Sequence, residues 1–375
     1  MEYCDVFIVG GGPAGSSLAL ALGKAGYDAL VLDRQTFPRD KVCAGWVTPP
    51  ILESLQIDTM DYRKGRVLQP ILGFRIGIIG NLDTESYVRE NPVSYGIRRC
   101  EFDHYLLERS GAKLKLGKSL SKIKRTGTSW VINDAISTPL VVGAGGHYCP
   151  VARYMGGNVK NHDPVVVAQE IEFRMTPEQC RQCWVCPELP ELYFCRDYTG
   201  YGWVFRKGDY LNIGLGREDK TNLSGHVRDF YDFLRRTKII PPDIPRDFHG
   251  HAYLLYQHCR RRISADGMLL VGDAAGLACT HSGEGIRPAI ESGILAAEVI
   301  KNARGDYCDN NLMTYSRSLG RRFGNRNTVI NLLPLVPDKI RNFLASHLIS
   351  NHWFASKVII DDWFLRTRQQ PLLIS

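Results

Sequence analysis

The chain has 375 residues, 44% of them hydrophobic and 23% charged, with a formal net charge of +8. This composition belongs to a folded globular protein with a sizeable core and excludes a low-complexity or disordered chain. The basic residues are scattered and form no nucleic-acid-binding motif, so nucleic acid is not expected as a partner, and no run of about 18 apolar residues is present to span a membrane.

Val6 to Val9 is a short β-branched and aromatic run of the kind found in a buried parallel strand. It ends at once in Gly10, Gly11, Gly12 and Gly15. From Pro13 to Gly26, Ala14, Leu18, Ala21, Leu22 and Ala25 recur at helical spacing, so the turn opens into a helix. A second strand, Ala29 to Leu32, ends on Asp33. In this arrangement Gly10 permits a tight turn, Gly12 lets backbone N–H groups approach a ligand, and Gly15 allows the helix to pack on the strand. The positive end of the helix dipole then faces phosphates, and an acid about 20 residues on accepts hydrogen bonds from a ribose. Strand, turn, helix, second strand and acid in register point to a dinucleotide; an ordinary glycine-rich turn is the alternative. The candidate contacts are Gly10, Gly12, Pro13, Ala14, Gly15, Asp33 and the adjoining Arg34.

Phe37 to Pro50 reads as a loop holding Lys41, Cys43, Ala44 and Trp46. Ile57 to Asn91 carries short alternating runs, with Gly73 to Ile79 the clearest strand, and Tyr95 to Arg99 reads as another. A short helix follows from Glu101 to Arg109. Small strands are expected from Leu114 to Ile136, then a buried one from Thr138 to Val142 that runs into Gly143, Gly145 and Gly146. Val165 to Arg174, Glu191 to Arg196, Gly202 to Arg206 and Tyr210 to Gly214 alternate as an antiparallel sheet does. A helix from His226 to Arg236 precedes a proline-rich turn. Met268 to Val271 restores the buried-strand pattern and ends in Gly272-Asp273; a long helix runs from about Gly285 to Ala303, with Pro288 in its first turn. From Leu312 the chain reads as amphipathic helices. The N-terminus runs straight into the first strand, so no leader is expected, and the odd number of cysteines, eleven, suggests reduced thiols in the cytoplasm.

Four stretches resemble one family, the FAD-dependent oxidoreductases of the p-hydroxybenzoate hydroxylase superfamily, and within it the geranylgeranyl reductase group. They are the Gly10 to Gly15 turn with Asp33; Arg99-Cys100-Glu101-Phe102-Asp103, similar to an R-x-x-F-D segment; Gly272-Asp273; and Tyr201-Gly202-Trp203-Val204-Phe205-Arg206-Lys207 followed by Asn212, Gly214 and Gly216. The resemblance implies FAD as cofactor, Arg99 near it, and Asp273 on its ribityl chain. It implies a mixed α/β (α+β) fold in which a Rossmann-like FAD-binding lobe (1–58, 95–165 and 260–310) interleaves with an antiparallel β-sheet substrate lobe (59–94 and 166–259), with a C-terminal helical segment at 311–375. Pro38, Lys41 and Cys43 keep the spacing of a P-x-x-K-x-C-G-G segment whose cysteine lies close to the flavin, with Ala44 in place of its first glycine. The chain departs from the flavin-dependent halogenases, which have W-x-W-x-I-P where Tyr201 to Arg206 stands, so halogenation is disfavoured.

Within that frame, Gly283, Gly285 and Ile286 are expected at the flavin's pyrimidine edge, where the helix end tolerates negative charge. Cys43, beside Lys41, is either a proton donor or a small buried residue. Tyr201, Trp203 and Phe205 share one strand face and either roof an apolar substrate or form plain core. His281 is a second candidate acid or a structural histidine. Cys180, Cys183 and Cys186 have a C-x2-C-x2-C spacing, but no metal is expected because the paired knuckles of zinc sites are missing. The C-terminal helices either pack on the FAD lobe or make peripheral contact with a membrane. The reaction expected is reduction of a C=C bond of a small hydrophobic, prenyl-like substrate, with NAD(P)H or another external electron donor. The alternatives are a monooxygenase acting through a C4a-hydroperoxide and an FAD-binding redox sensor or interaction protein.

Overall fold

The computed structural model describes residues 1–156, 165–218, 221–326, 349 and 351–374. Two main sheets organise it. The first has six strands in the spatial order Ser264–Ala265, Met268–Leu270, Leu140–Gly143, Val6–Val9, Ala29–Asp33 and Lys113–Leu116. All of its pairings are parallel except the one between the first two strands. Val6–Val9 sits near the middle and is buried on both faces, which is why its sequence is continuously apolar rather than alternating. The helix Pro13–Lys24 covers one face and packs against a second helix, Ile286–Ala303. A Cβ on Gly293 would lie 2.5 Å from the Ala14 carbonyl oxygen, so the two helices cross at glycine distance.

The second sheet has seven strands, ordered His249–Leu254, Val165–Arg174, Tyr210–Arg217, Gly200–Lys207, Glu191–Phe194, Gly73–Ile78 and Thr84–Val88. It is antiparallel apart from the parallel pair between Glu191–Phe194 and Gly73–Ile78. The helix Leu223–Arg236 lays Val227, Phe230 and Leu234 on one of its faces. The other face carries Phe74, Trp203 and Phe205, joined by Trp46 and by Ile359, Ile360 and Phe364 from the C-terminal region.

Three expectations shift. Tyr95 to Arg99 is not all strand: Ser94–Ile97 is, and the helix Arg99–Arg109 already includes Arg99. Starting there places Arg99 four residues before Asp103, where the two side chains meet on one helical face. Trp46 and Val47 leave the expected loop to pair as a strand with Tyr95 and Gly96, and Pro49–Ser54 is helical with proline in its first turn. The expected C-terminal helices appear as Asp309–Leu312, Thr314–Phe323 and a wide-turn helix Ala355–Phe364. The part at 327–348, with Arg341, lies outside the described residues. Among those residues no helix is long and apolar enough to cross a membrane.

The segment after Phe364 is held to the helix Ile286–Ala303 by charge. Glu291, fully buried, pairs with both Arg287 and Arg322 at 2.8 Å. Arg287 then donates to the carbonyls of Leu365, Arg366 and Gln369, and Arg322 to that of Gln370.

Candidate active site

The glycine turn is shaped by its neighbours. Gly10 has φ +117°, and a Cβ there would lie 2.4 Å from the Ala144 carbonyl oxygen. A Cβ on Gly15 would come within 1.9 Å of the Gly10 carbonyl oxygen. Both positions are closed to any other residue. Gly12 caps the helix Pro13–Lys24 with no side chain bonded to its end, so the first N–H groups are left for an anionic ligand. Facing Gly12 is the guanidinium of Arg39. Asp33 accepts the Gly11 N–H through Oδ2 and that of Gln35 through Oδ1, which fixes the carboxylate at the mouth of the turn. Arg34 beside it is exposed, while Pro13 and Ala14 are buried in the first helical turn.

From Arg39 a line of paired charges runs along the groove. Asp103 is fully buried between Arg39 at 3.2 Å and Arg99, whose Nε and Nη2 each donate to it at 2.8 Å. Arg99 is also within hydrogen-bond reach of the Cys43 side chain. Burial, and then the Arg99 charge, lower the Lys41 ammonium to about 8, against the pull of Asp273, Cys43 and Asp103. Burial alone would raise Asp273, but His251, whose Nε2 lies 3.6 Å from Oδ2, together with Lys41 and Arg99, holds it below the usual carboxylate range. Gly285 follows, capping Ile286–Ala303, with Asp273 Oδ1 3.4 Å from where its Cβ would be. Glu284 accepts the Arg287 N–H there at 2.6 Å. Gly283 is pressed against Tyr253 at φ +66°.

An elongated dinucleotide fits this groove. Its diphosphate would meet the uncapped helix end and Arg39. The far half would lie along Arg99, Lys41 and Asp273 toward the second helix N-terminus at Gly285 and Ile286.

The aromatic face divides in two. Phe205 stacks on Trp46 with centroids 5.2 Å apart and is core; Trp203 is equally buried, its indole N–H donating to Asn212 Oδ1 at 2.7 Å. Only Tyr201 of the three reaches the cofactor side, donating its O–H to the Ser282 carbonyl. Phe364 closes on Tyr201 at 5.3 Å and on Trp46 at 6.0 Å. His281 is covered on one ring face by Trp363 at 5.0 Å and exposed on the other. That partial burial, with Arg366 and His258 nearby, lowers its pKa.

Among the described residues no group of three or more His, Cys, Asp or Glu is set to hold a metal. Cys183 is buried in the core beneath the helix Leu223–Arg236, and Cys186 is exposed. A cavity of about 660 Å³ opens beside the helix Leu223–Arg236, between Arg196, Asp197 and His226; it shares no residue with the groove.

Arg39 and His251 escaped the sequence reading. Neither has a spacing signal, since one reaches the groove from an irregular loop and the other from a strand of the second sheet.

Comparison with known proteins agrees with this geometry. Residues 3–58 match the family described as FAD binding domain. Over 335 residues the chain is 26% identical to digeranylgeranylglycerophospholipid reductase of Methanocaldococcus jannaschii, covering 84% of this chain and 82% of that one. The chain carries an FAD-binding domain and is homologous to the geranylgeranyl reductases. This flavoprotein is also 28% identical over 319 residues to menaquinone reductase of Mycobacterium tuberculosis, covering 80% and 77% of the two chains. Its fold is that of a geranylgeranyl bacteriochlorophyll reductase-like protein from Thermoplasma acidophilum, with TM-score 0.74 at 21% identity over 100% and 94% of the chains. A flavin-dependent brominase shares the fold at TM-score 0.68 and 17% identity, over 95% and 92%. The flavoprotein therefore shares its fold with both proteins.

Proposed function

We propose that this flavoprotein reduces a C=C bond of a hydrophobic, prenyl-like substrate, in the cytoplasm, with Cys43 as the proton donor. When bound, FAD would supply the hydride, with NAD(P)H or another external donor as the source of its electrons. Residues 1–58, 95–165 and 260–310 hold the cofactor, while 59–94 and 166–259 face the substrate.

The observation that carries this reading is the place of Cys43, where the charged groove meets the aromatic cluster. Its thiol has Arg99 within hydrogen-bond reach, and Lys41 and Tyr201 lie close by. A thiol there can release its proton from Sγ, and the guanidinium stabilises the thiolate that remains. Arg99 cannot do this as an acid itself, because it stays protonated and is paired with Asp103. His281 is the weaker donor: with its pKa lowered, it is mostly neutral at pH 7. Tyr201 and Phe364, backed by the buried Trp46 and Phe205, give the apolar surface that excludes water from the reacting bond. The exposed Trp353 beside Lys357 is the point of the C-terminal segment suited to peripheral contact with lipid.

The test is to mix the photoreduced holoprotein anaerobically with prenyl diphosphates, prenylated lipids and menaquinone. Reoxidation of the flavin with a product heavier by two hydrogens supports the proposal. Reoxidation only by O2, with an oxygen atom gained by the product, would establish the monooxygenase that the shared brominase fold makes the rival. Tight FAD binding without substrate-dependent reoxidation would leave a sensor.

A further inference from the structure

Beneath the Cys43 loop, the second sheet buries a polar cluster that neither cofactor nor apolar substrate requires. Glu170 and Glu172 come from Val165–Arg174, Lys207 from Gly200–Lys207 and Asn212 from Tyr210–Arg217. The register sets Glu172 opposite Asn212 and Asn212 opposite Phe205, so these side chains share the sheet face turned toward the Cys43 loop. Asn212 and Lys207 are essentially inaccessible, and Glu170 is only 6% exposed.

Every polar atom of Asn212 is used. Its Oδ1 accepts the Trp203 indole N–H, and its Nδ2 lies 3.2 Å from the Cys43 carbonyl oxygen, 3.3 Å from Glu170 Oε2 and 3.2 Å from Glu172 Oε2. The Glu170 carboxyl lies within hydrogen-bond reach of the Cys43 backbone N–H. Lys207 donates to Glu172 at 2.6 Å, and its Nζ lies 2.6 Å from where a Cβ on Gly45 would be, so it underpins the loop two residues further on. Both main-chain polar groups of Cys43 are thus held from the substrate sheet, while its side chain is presented to Arg99 on the cofactor side. Both cations near the two carboxyls are spent on Glu172, Lys207 at 2.6 Å and the Arg98 guanidinium at 3.4 Å. Burial, then the neighbouring Glu172, raises Glu170 to about 8 against Lys207 and the hydrogen bonds it accepts, so Glu170 is largely protonated at neutral pH.

Such a cluster is a poor way to stabilise a sheet. Apolar side chains of similar volume do as well or better once desolvation is counted. What an apolar residue cannot do is grip a main chain.

We propose that Glu170 and Asn212 are positioning residues for Cys43, holding its main chain from both sides so that the thiol stays beside Arg99 where the groove meets the aromatic cluster. This rests on the role proposed for Cys43, and the two fail separately. Undiminished turnover in Cys43→Ala would remove the acid role and leave the grip standing.

The experiment is alkylation of the FAD-loaded protein with iodoacetamide, with each cysteine's rate read by peptide mass mapping. Cys186, exposed, and Cys308, partly exposed, are the internal references. Glu170→Leu removes the acceptor of the Cys43 N–H and also removes a buried carboxyl, so the fold is kept; Asn212→Ala removes the donor to its carbonyl. In each, Cys43 is expected to react about fivefold or more faster, the consequence of losing about one net hydrogen bond that closes the loop. Cys186 and Cys308 stay within about twofold, FAD remains bound, and Glu170→Gln, which keeps an acceptor oxygen, returns Cys43 to about the native rate. Unchanged Cys43 labelling in Glu170→Leu overturns the proposal. So does an equal rise at all three cysteines, which would mean general loosening.

Discussion

The two sheets put polar chemistry in place by opposite means. In the six-stranded sheet the three neighbouring strands Val6–Val9, Leu140–Gly143 and Met268–Leu270 are wholly apolar, and recognition is left to the backbone at the strand ends: an uncapped helix and glycines at Gly10, Gly12 and Gly15. In the seven-stranded sheet the work passes to side chains in the middle of strands, where Glu170, Glu172, Lys207 and Asn212 meet under a loop from the other lobe. A backbone site needs only the right local turn. A side-chain site needs the register of three strands to be correct at once.

That contrast can be broken or sharpened in four steps. The largest effect is expected from Gly12→Asp, which sets a carboxylate against the diphosphate. Like charge at that distance costs several kcal/mol, so FAD affinity should fall about 100-fold or more, read as loss of bound flavin absorbance on gel filtration. Full yellow holoprotein would remove the backbone site from the comparison. Next is Cys43→Ala, which should keep FAD and lower kcat about 100-fold, the usual worth of a placed general acid, with KM little changed. His281→Gln should slow turnover by less than tenfold, about the level of a group that is half open to water; a loss matching that of Cys43→Ala would make the histidine the acid.

The smallest effect is on stability and concerns Glu170→Gln. The carboxyl's pKa is raised from 4.5 to about 8 in the folded chain. Its contribution is therefore fully present below about pH 4.5 and lost as pH rises through about 8. Relative to Glu170→Gln, which does not titrate, the native chain should lose about 2–4 °C in melting temperature between pH 5 and 8. A constant difference across that range would mean that Glu170 is ionised throughout.

How much the sequence disclosed follows the same division. Gly10 to Gly15 and Asp33 were legible because a turn, a helix start and a strand end are local events, and each glycine answers a steric demand within one supersecondary unit. Arg99 could be placed near the cofactor by resemblance, but the helix start that pairs it with Asp103, which Arg39 shares, is set by the fold. The aromatic strand was readable as a face and not as to its use: Trp203 and Phe205 are core, and Tyr201 alone crosses to Ser282. Glu170 and Lys207 lie 37 positions apart along the chain. Nothing in either residue's neighbourhood announces the other, since each simply occupies one place in an alternating strand.

The anchorage of the C-terminal segment has a meaning for descent as well as for folding. Arg287 and Arg322 hold Leu365, Arg366, Gln369 and Gln370 by their carbonyl oxygens, which every amino acid possesses. The fastening is blind to the side chains it fastens. Mutation can therefore redraw the ceiling that Trp363 and Phe364 lay over His281 and Tyr201 while Arg287, Glu291 and Arg322 keep it attached, and substrate preference becomes free to drift on a mount that does not.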